Sequence, residues 1–592
     1  MIIDLAVDNK VFKSVKNKKW THATFDSREA LNITQKTGLP YVLAQILSSR
    51  NIDIHNVSNF LEPKLKDLLP DPFHLLDMDK AVITVAKAIA NGKKIAVFGD
   101  YDVDGATSSA LLKRYFDCIG VNIEIYIPDR ILEGYGPNID AFQTLKNKGV
   151  DLIITVDCGT TSYEPIAFAK QLGIDLLVID HHIGDASLPE ALAVVNPNRA
   201  DEISDFKYLA AVGVSFLLIV ALTKHLKTEG YFQKIQEPNL LHFLDLVALG
   251  TVCDQVQLTG LNRAMVRQGL KVINNSQNIG LRALIEVAGI TSAVSVYHLG
   301  FVLGPRINAG GRVGQSSLGA ELLSCSNYAR AVEIAKQLSG YNEERKAIEL
   351  LVLEQATLQA EKAAKIDPII FVIGEDWHPG VIGIIASRLK DKFNKPTAVI
   401  SLVDGVGKAS CRSITGIDFG AAVISAKSNG LLVGGGGHAM AAGFTVNSDK
   451  ITELKEFFYQ KFKQSYKELS TNVLNHFDAY LTLNSTDIAL INLIEKLGPF
   501  GSGNYQPRFM VSGVNIIKAD IVGRDHVSCI LSDGSSNYKI KAMAFRAIDN
   551  PLSEVLLSKQ RFGLTLIVSL TINCWNGKET PEMVIQDLIV EQ

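Results

Sequence analysis

Directly after the apolar run Ile95 to Phe98 stands Gly99-Asp100-Tyr101-Asp102-Val103-Asp104-Gly105, and a helical pattern, Ala106 to Phe116, follows it. Carboxylates on alternate residues at the carboxyl end of a strand project into the crevice where open α/β sheets bind ligands. An acidic turn or a helix cap would use the same residues, and the motif by itself leaves the two readings even. Two further runs tip the balance. Leu152 to Val156 ends in Asp157-Cys158-Gly159-Thr160-Thr161, and Leu176 to Ile179 ends in Asp180-His181-His182. Adjacent histidines usually belong to surface loops or satisfied cores, but here they stand beside two acidic strand ends. Clustered carboxylates raise each other's pKa unless cations neutralise them. Oxygen donors with a minority of imidazole and no thiolate favour Mg2+ or Mn2+ over zinc.

Two ions sharing one carboxylate can activate water and stabilise a leaving oxygen, as hydrolysis of a phosphodiester or pyrophosphate requires. Asp157, central among the strands, is the natural bridge. Asp180 is better placed to orient an imidazole from behind than to bind metal. Asp254, in Gly250-Thr251-Val252-Cys253-Asp254 after the apolar helix His242 to Leu249, is a fourth candidate ligand, equally readable as a helix-terminal acid. Donors for phosphate come from Gly304-Pro305-Arg306-Ile307-Asn308-Ala309-Gly310-Gly311-Arg312, where glycines allow close approach to a ligand. Lys408-Ala409-Ser410-Cys411-Arg412-Ser413 and a glycine-rich loop, Gly434 to Gly437 before His438, form a second set. In Arg130-Ile131-Leu132-Glu133-Gly134-Tyr135-Gly136, Tyr135 could stack on a base with Arg130 on a phosphate, although a plain turn fits as well.

The elements that must position these groups are legible from periodicity. Short β-branched runs (Ile95 to Phe98, Ile123 to Ile127, Leu152 to Val156, Leu176 to Ile179) alternate with helical stretches, which predicts right-handed crossovers and a parallel sheet. A helix-rich stretch, Tyr208 to Leu284, follows, and Asn327 to Lys365 predicts a long connector helix with a break near Ser339-Gly340. A second α/β unit has strands Ile369 to Ile373 and Thr397 to Leu402 and helices Val381 to Phe393 and Ile451 to Lys463. Strand-like runs from Val511 to Ile572 predict a small β-barrel.

Composition narrows the class. A chain of 592 residues, 47% of them hydrophobic, buries several cores, and a net charge of -3 gives no global field that would draw in a polyanion. Any nucleic-acid contact therefore uses a local basic groove. Seven scattered cysteines without paired zinc spacing read as reduced cytoplasmic thiols. The acidic start Met1 to Asp8 argues against a secretory signal, and the apolar run Tyr208 to Thr223 is short for a membrane span and reads as a buried core helix. The lysines of the first 60 residues (Lys10, Lys13, Lys16, Lys18, Lys19) read as a solvated face.

Taken together, the acidic triplet, Asp157 in Val-Asp-Cys-Gly-Thr-Thr and Asp180-His181-His182 resemble the DHH phosphoesterase superfamily. Glu133-Gly134-Tyr135-Gly136, Gly304 to Arg312, Gly434 to His438 and Leu497-Gly498-Pro499-Phe500-Gly501-Ser502-Gly503-Asn504 recur in the order seen in its bacterial single-strand-specific exonucleases, from about Leu61 onward. The resemblance implies an α/β architecture: a role-unassigned segment 1–60, a parallel-sheet DHH domain 61–326, a connector helix 327–366, a smaller α/β DHHA1 domain 367–465 and an OB-like nucleic-acid-binding β-barrel 466–592, around a passage for one strand. It implies 5′-to-3′ hydrolysis of single-stranded DNA to nucleoside 5′-monophosphates in recombination and repair, in the cytoplasm, away from membranes, with a single-stranded-DNA-binding protein and a repair helicase as partners. It also implies two ions, Mg2+ or Mn2+, on Asp100, Asp102, Asp104, Asp157, His181 and Asp254, with Asp157, His181, His182 and Asp104 carrying catalysis and Asp180 behind them. Arg130, Tyr135, Arg306, Asn308, Arg312, Ser410, Arg412 and His438 would meet the nucleic acid. Phe98 departs from the pattern, because many members place a metal-binding histidine there, and Tyr505-Gln506-Pro507 replaces the usual Pro-Glu-Pro. The rival readings are a DHH phosphodiesterase for nanoRNA or small dinucleotides and a non-catalytic nucleic-acid-binding scaffold.

Overall fold

The computed structural model describes residues 10–130, 132–275, 277–469, 474–534, 538–548, 550–558, 562–575 and 577–590. The acidic start Met1 to Asp8 and Ile131 of the Arg130 loop lie outside them. Two compact units divide the chain: residues 69–257 with 265–471, and residues up to Leu68 with 258–264 and 472–592.

In the first unit, five parallel strands run in the spatial order Ile123–Tyr126, Ile95–Gly99, Leu152–Val156, Asp175–Ile179 and Ala193–Val195. The two central strands, Ile95–Gly99 and Leu152–Val156, are buried at every position, which is why they read as unbroken apolar runs rather than alternating ones. After the first strand the chain crosses to one side and then returns to the other, so the order reverses between Ile95–Gly99 and Leu152–Val156. Crevices at such reversals are where α/β sheets bind ligands. The helix Ala211–Thr228 packs into the core, with Val214, Leu217, Leu218 and Ile219 buried. Among the described residues it is the one helix long and apolar enough to cross a membrane, and most of it is buried inside this unit.

Asn327 caps the helix Tyr328–Ala363 by accepting from the Arg330 N–H at 3.1 Å. The expected break at Ser339-Gly340 does not occur. One glycine costs a helix about 1 kcal/mol, and burial of Ala331, Ile334, Ala335, Leu338 and Asn342 on one side outweighs it. The next sheet is mixed: Ile370–Glu375 and Thr397–Val403 are parallel, while Val406–Arg412, Ala441–Asn447 and Gly434–His438 add antiparallel strands. Gly434 to Gly437, expected as a loop, is therefore an edge strand. Hydrogen bonding to Ala441–Asn447 holds it extended despite its lack of side chains.

In the second unit, Phe509–Val522 pairs with both His526–Ser532 and Leu564–Trp575, and Ile540–Ala544 and Lys578–Ile589 complete a closed five-stranded barrel. Two register shifts and a left-handed Gly513 (φ 71°) bend the long first strand so that it serves both neighbours. Lys19–His22 pairs with Phe12–Lys13 and, in parallel, with Leu474–Phe477. Helices Ser27–Thr37 and Tyr41–Ser49 put Ile33, Leu43 and Ile46 into one core with barrel residues Val511 and Leu566.

Candidate metal centre

Register aligns the chemistry. Gly99 lies opposite Val156, Val156 opposite Ile179 and Ile179 opposite Val195, so the next residues, Asp100, Asp157, Asp180 and Asn196, form a row along the carboxyl edge of the sheet. Asp157 is held in the left-handed region (φ 61°), a conformation that costs a non-glycine residue energy and is found where function needs a fixed side chain. Asp102 caps the helix Val103–Cys118 by accepting from the N–H groups of Asp104 (2.8 Å) and Gly105 (3.2 Å). Position 105 must be glycine, because a Cβ would stand 2.3 Å from the Asp100 carbonyl oxygen. Asp104 in turn accepts from the N–H groups of Ala211 (2.6 Å) and Val212 (3.0 Å) at the start of the helix Ala211–Thr228. Asp254 terminates the helix Leu244–Cys253.

These residues converge. His181 Nε2 lies 3.3 Å from Asp157 Oδ1, 3.6 Å from Asp254 Oδ2 and 3.8 Å from Asp104 Oδ2. Three groups of donor atoms each fall within 4.8 Å of one another: Asp100, Asp102 and Asp157; Asp104, His181 and Asp254; and Asp157, His181 and His182. Asp100 Oδ1, Asp157 Oδ1, His181 Nε2 and Asp254 Oδ2 are buried and have no hydrogen-bond partner. Leaving such groups unpaired costs several kcal/mol each unless a ligand completes them. The Leu209 carbonyl accepts a hydrogen bond from the His181 ring, so Nε2 presents its lone pair to the cluster. The nearby thiols point elsewhere, Cys158 to the Val156 carbonyl and Cys253 to that of Leu299. Oxygen and imidazole donors therefore fit Mg2+ or Mn2+.

Electrostatics without a cation agree with that fit. Burial, then the Asp102 charge, pushes Asp104 up to about 7, and burial with the charges of Asp104 and Asp102 pushes Asp254 up to about 9. Burial and neighbouring carboxylates also raise Asp100 and Asp157. Burial and the His182 charge lower His181 to about 4.

Asp180 behaves oppositely. Burial alone would raise it, but five hydrogen bonds hold it ionised: from the N–H groups of His181 (2.7 Å), His182 (3.2 Å) and Thr160 (3.1 Å), from Thr160 Oγ1 (2.7 Å) and from His182 Nδ1 (2.8 Å). No oxygen is left for a metal. Burial would lower His182, yet the bond to Asp180 lifts it to about 9. Asp180→Asn should therefore bring the His182 titration in the metal-free protein down by two or more units, toward the ordinary 6.5, and lower activity about 10- to 100-fold. Histidine NMR titration checks this, and an unmoved His182 would remove Asp180 as its orienting group.

Sequence reasoning missed two supports and one aromatic. Asn196 donates to the His182 carbonyl (2.8 Å) and to Thr160 Oγ1 (2.8 Å), and Asn198 donates to the His181 carbonyl (2.6 Å). The available signal was Asn-Pro-Asn after the apolar trio Ala193 to Val195. Tyr101 carries the Arg130 guanidinium 5.0 Å above its ring and meets Tyr135 edge-on at 6.2 Å, and the Tyr135 hydroxyl is 3.5 Å from His182 Nε2. Phe98 faces away from the cluster, buried between Tyr126 and Phe142.

The expected phosphate donors divide. Arg130 bears electrostatically on both Arg312 and Arg412. Burial, then Arg130 and Arg345, lowers Arg312 to about 10. Arg412 and His438 flank Ala441 across the mixed sheet, and Ser410 and Gly436 flank Gly443, so Ser410, Arg412 and His438 share one face floored by small residues. Arg306 is directed instead to the long helix, donating to Ser339 Oγ (3.0 Å) and to the Val302 carbonyl (2.7 Å). Asn308 is half-buried on the helix that also carries Arg306, Gly304–Val313. Its glycines serve packing: a Cβ at Gly311 would stand 3.0 Å from the Tyr101 carbonyl oxygen.

Carboxylates and imidazoles at the reversal point of a parallel sheet, a connector helix, a second mixed sheet and a closed barrel define a multidomain phosphoesterase of the DHH superfamily. Family-level matches follow the same order: the DHH family N-terminal domain over residues 94–251, the DHHA1 domain over 366–464 and the RecJ OB domain over 477–587. The chain belongs to the RecJ family. It is 33% identical over 575 residues to the single-stranded-DNA-specific exonuclease RecJ of Salmonella typhimurium, covering 93% of this chain and 96% of that one. It is 30% identical to the RecJ of Bacillus subtilis over 97% of this chain and 71% of the relative. The solved structure of Thermus thermophilus RecJ with Mn2+ superposes with a TM-score of 0.77 at 27% identity, covering 97% of this chain and 80% of that one, and a second solved form of that protein holds Mg2+.

Proposed function

We propose that the chain is a single-stranded-DNA-specific exonuclease that works from the 5′ end, releases nucleoside 5′-monophosphates and uses two divalent ions. The observation that carries the two-ion reading is that Asp157 belongs to two of the three donor groups, one with Asp100 and Asp102 and one with His181 and His182. One ion would lie among Asp100, Asp102 and Asp157, and the other among Asp104, Asp157, His181 and Asp254. Divalent ions in such a pair supply nucleophile activation and neutralise charge on the phosphoryl and leaving oxygens.

The protein's own groups do the remainder. His182 presents Nε2 beside the Tyr135 hydroxyl and in its protonated form can donate a proton or hydrogen bond to a phosphoryl or leaving oxygen. Asp180 holds that imidazole through Nδ1. Arg130, Arg312 and Arg412, with Ser410 and His438, offer donors to successive phosphates, and Tyr135, 58% exposed, is free to stack on a base. Arg306 and Asn308 would contact the backbone further along. Residues 61–326 would act as the hydrolytic domain, 327–366 as connector, 367–465 as strand clamp and 466–592 as the barrel that binds single strands, with 1–60 packed beside the barrel. A barrel of this kind is superfluous for a dinucleotide, which favours the strand over small substrates, and the intact donor set argues against a scaffold. The reading places the protein in the cytoplasm, in recombination and repair beside a single-stranded-DNA-binding protein and a helicase.

An end-labelled assay tests it. With Mg2+ or Mn2+, a 5′-phosphorylated single strand should be degraded to mononucleotides while blunt duplex is spared. Equal turnover of a dinucleotide and a long strand would instead assign the small-substrate activity.

A further inference from the structure

Tyr297 and Phe301 are large aromatics left 62% and 74% exposed, and their rings stack on each other at 5.4 Å and 26°. Burying such rings is normally favourable, so a stacked pair held open to solvent needs an occupant. The local backbone is arranged to present them. Leu299–Leu303 is a π-helical turn, a feature concentrated at functional sites. The Leu299 carbonyl accepts from the Cys253 thiol at 3.4 Å. Gly304 packs so closely on the same residue that a Cβ would stand 2.4 Å from Cys253 Sγ. Cys253 is the last residue of the helix that ends in Asp254. The turn is thus clamped to the helix that delivers a donor to the metal centre.

Resting on the exonuclease reading, we propose that Tyr297 and Phe301 form a second stacking platform, on which bases of the single strand lie beyond the nucleotide being cleaved. Two features select a nucleic-acid strand over an apolar partner. Arg306, in the helix that continues the turn, holds a half-buried guanidinium through Ser339 and through the carbonyl of Val302, the residue next to Phe301, and so sets a cation for backbone phosphate at the turn that carries the rings. The combination of stacked or edge-on rings with a nearby cation also recurs at Arg130, Tyr101 and Tyr135 beside the cluster. Stacking is tolerant of sequence because every base has a π-face, as suits an enzyme that must pass all four bases.

The test uses the full chain in an Asp157→Ala background, where strand is bound without being consumed. In Phe301→Trp, oligothymidine should quench emission beyond any change in the parent, which carries Trp20, Trp377 and Trp575. In the otherwise native chain, Phe301→Leu and Tyr297→Ala with Phe301→Ala should raise the KM for a long strand about tenfold, while Phe301→Trp keeps it near the parent value. If the parent cleaves single strands but oligothymidine adds no quenching in Phe301→Trp and the Phe301→Leu variant keeps the parent KM, the platform is refuted and the rings serve a protein partner. A parent that cleaves no single strand would overturn the exonuclease reading itself. Retention of KM in Phe301→Trp and its loss in Phe301→Leu supports stacking over apolar contact.

Discussion

Asp157→Ala should lower hydrolysis of single-stranded DNA by at least about a thousandfold, while affinity for the strand stays within about tenfold. Asp157 is the one carboxylate common to two donor groups, so its removal would take an oxygen from both of the proposed ions at once. Asp102→Ala, by contrast, removes an oxygen from one group only and should leave binding of the second ion intact. Strand binding should survive because the proposed phosphate donors Arg130, Arg312, Arg412 and Arg306 lie on other segments, and losing one buried negative charge does not repel a polyanion. Measuring Mn2+ stoichiometry by titration calorimetry beside single-turnover hydrolysis separates the two variants. Hydrolysis that persists in Asp157→Ala with two ions bound would overturn the bridging role.

How the centre was legible in the sequence, and where legibility ended, follows from the range of the interactions involved. The strands Ile95–Gly99 and Leu152–Val156 announce themselves because a doubly covered sheet requires unbroken apolar runs, and the acids at their ends stand out against them. Alternate spacing of Asp100, Asp102 and Asp104 was likewise visible, but their division of labour was not. Asp102 and Asp104 both hold helix starts, and the second of these, at Ala211 and Val212, is more than a hundred residues away. The strand Ala193–Val195 is only three residues long, too short for any periodic signal, and with it went Asn196 and Asn198. Gly434–His438 reads as a loop because glycine has no strand propensity, and only the neighbour Ala441–Asn447 makes it a strand. The first 60 residues carry no motif at all. Their role as packing beside the barrel depends on pairing Lys19–His22 with Leu474–Phe477, a contact that no local pattern encodes.

Stability should fall with rising pH in the metal-free protein and much less with metal bound. Asp104 and Asp254 have folded-state values of about 7 and about 9, above the ordinary carboxylate value of 3.8, and Asp100 and Asp157 are raised too. A raised group contributes stability that is complete below the unfolded value and is lost as pH rises through the folded one. His182, raised to about 9, loses its contribution over the same interval, from about 6.5 upward. His181 and Asp180 are lowered and titrate below pH 6.5, so they do not oppose the trend above it. Between pH 6.5 and 9 the metal-free protein should therefore lose on the order of a few kcal/mol from the buried acids alone, or roughly 5–10 °C in the melting temperature of the unit that carries them. Mn2+ held by these acids, as proposed, would take the place of those protons, so its affinity should rise as they leave. The melting temperature with Mn2+ minus that with chelator should widen from pH 6.5 to 9. Groups outside the cluster titrate alike in both arms and cancel in the difference. A gap that stays constant across that range would mean that the four acids are not the ligands.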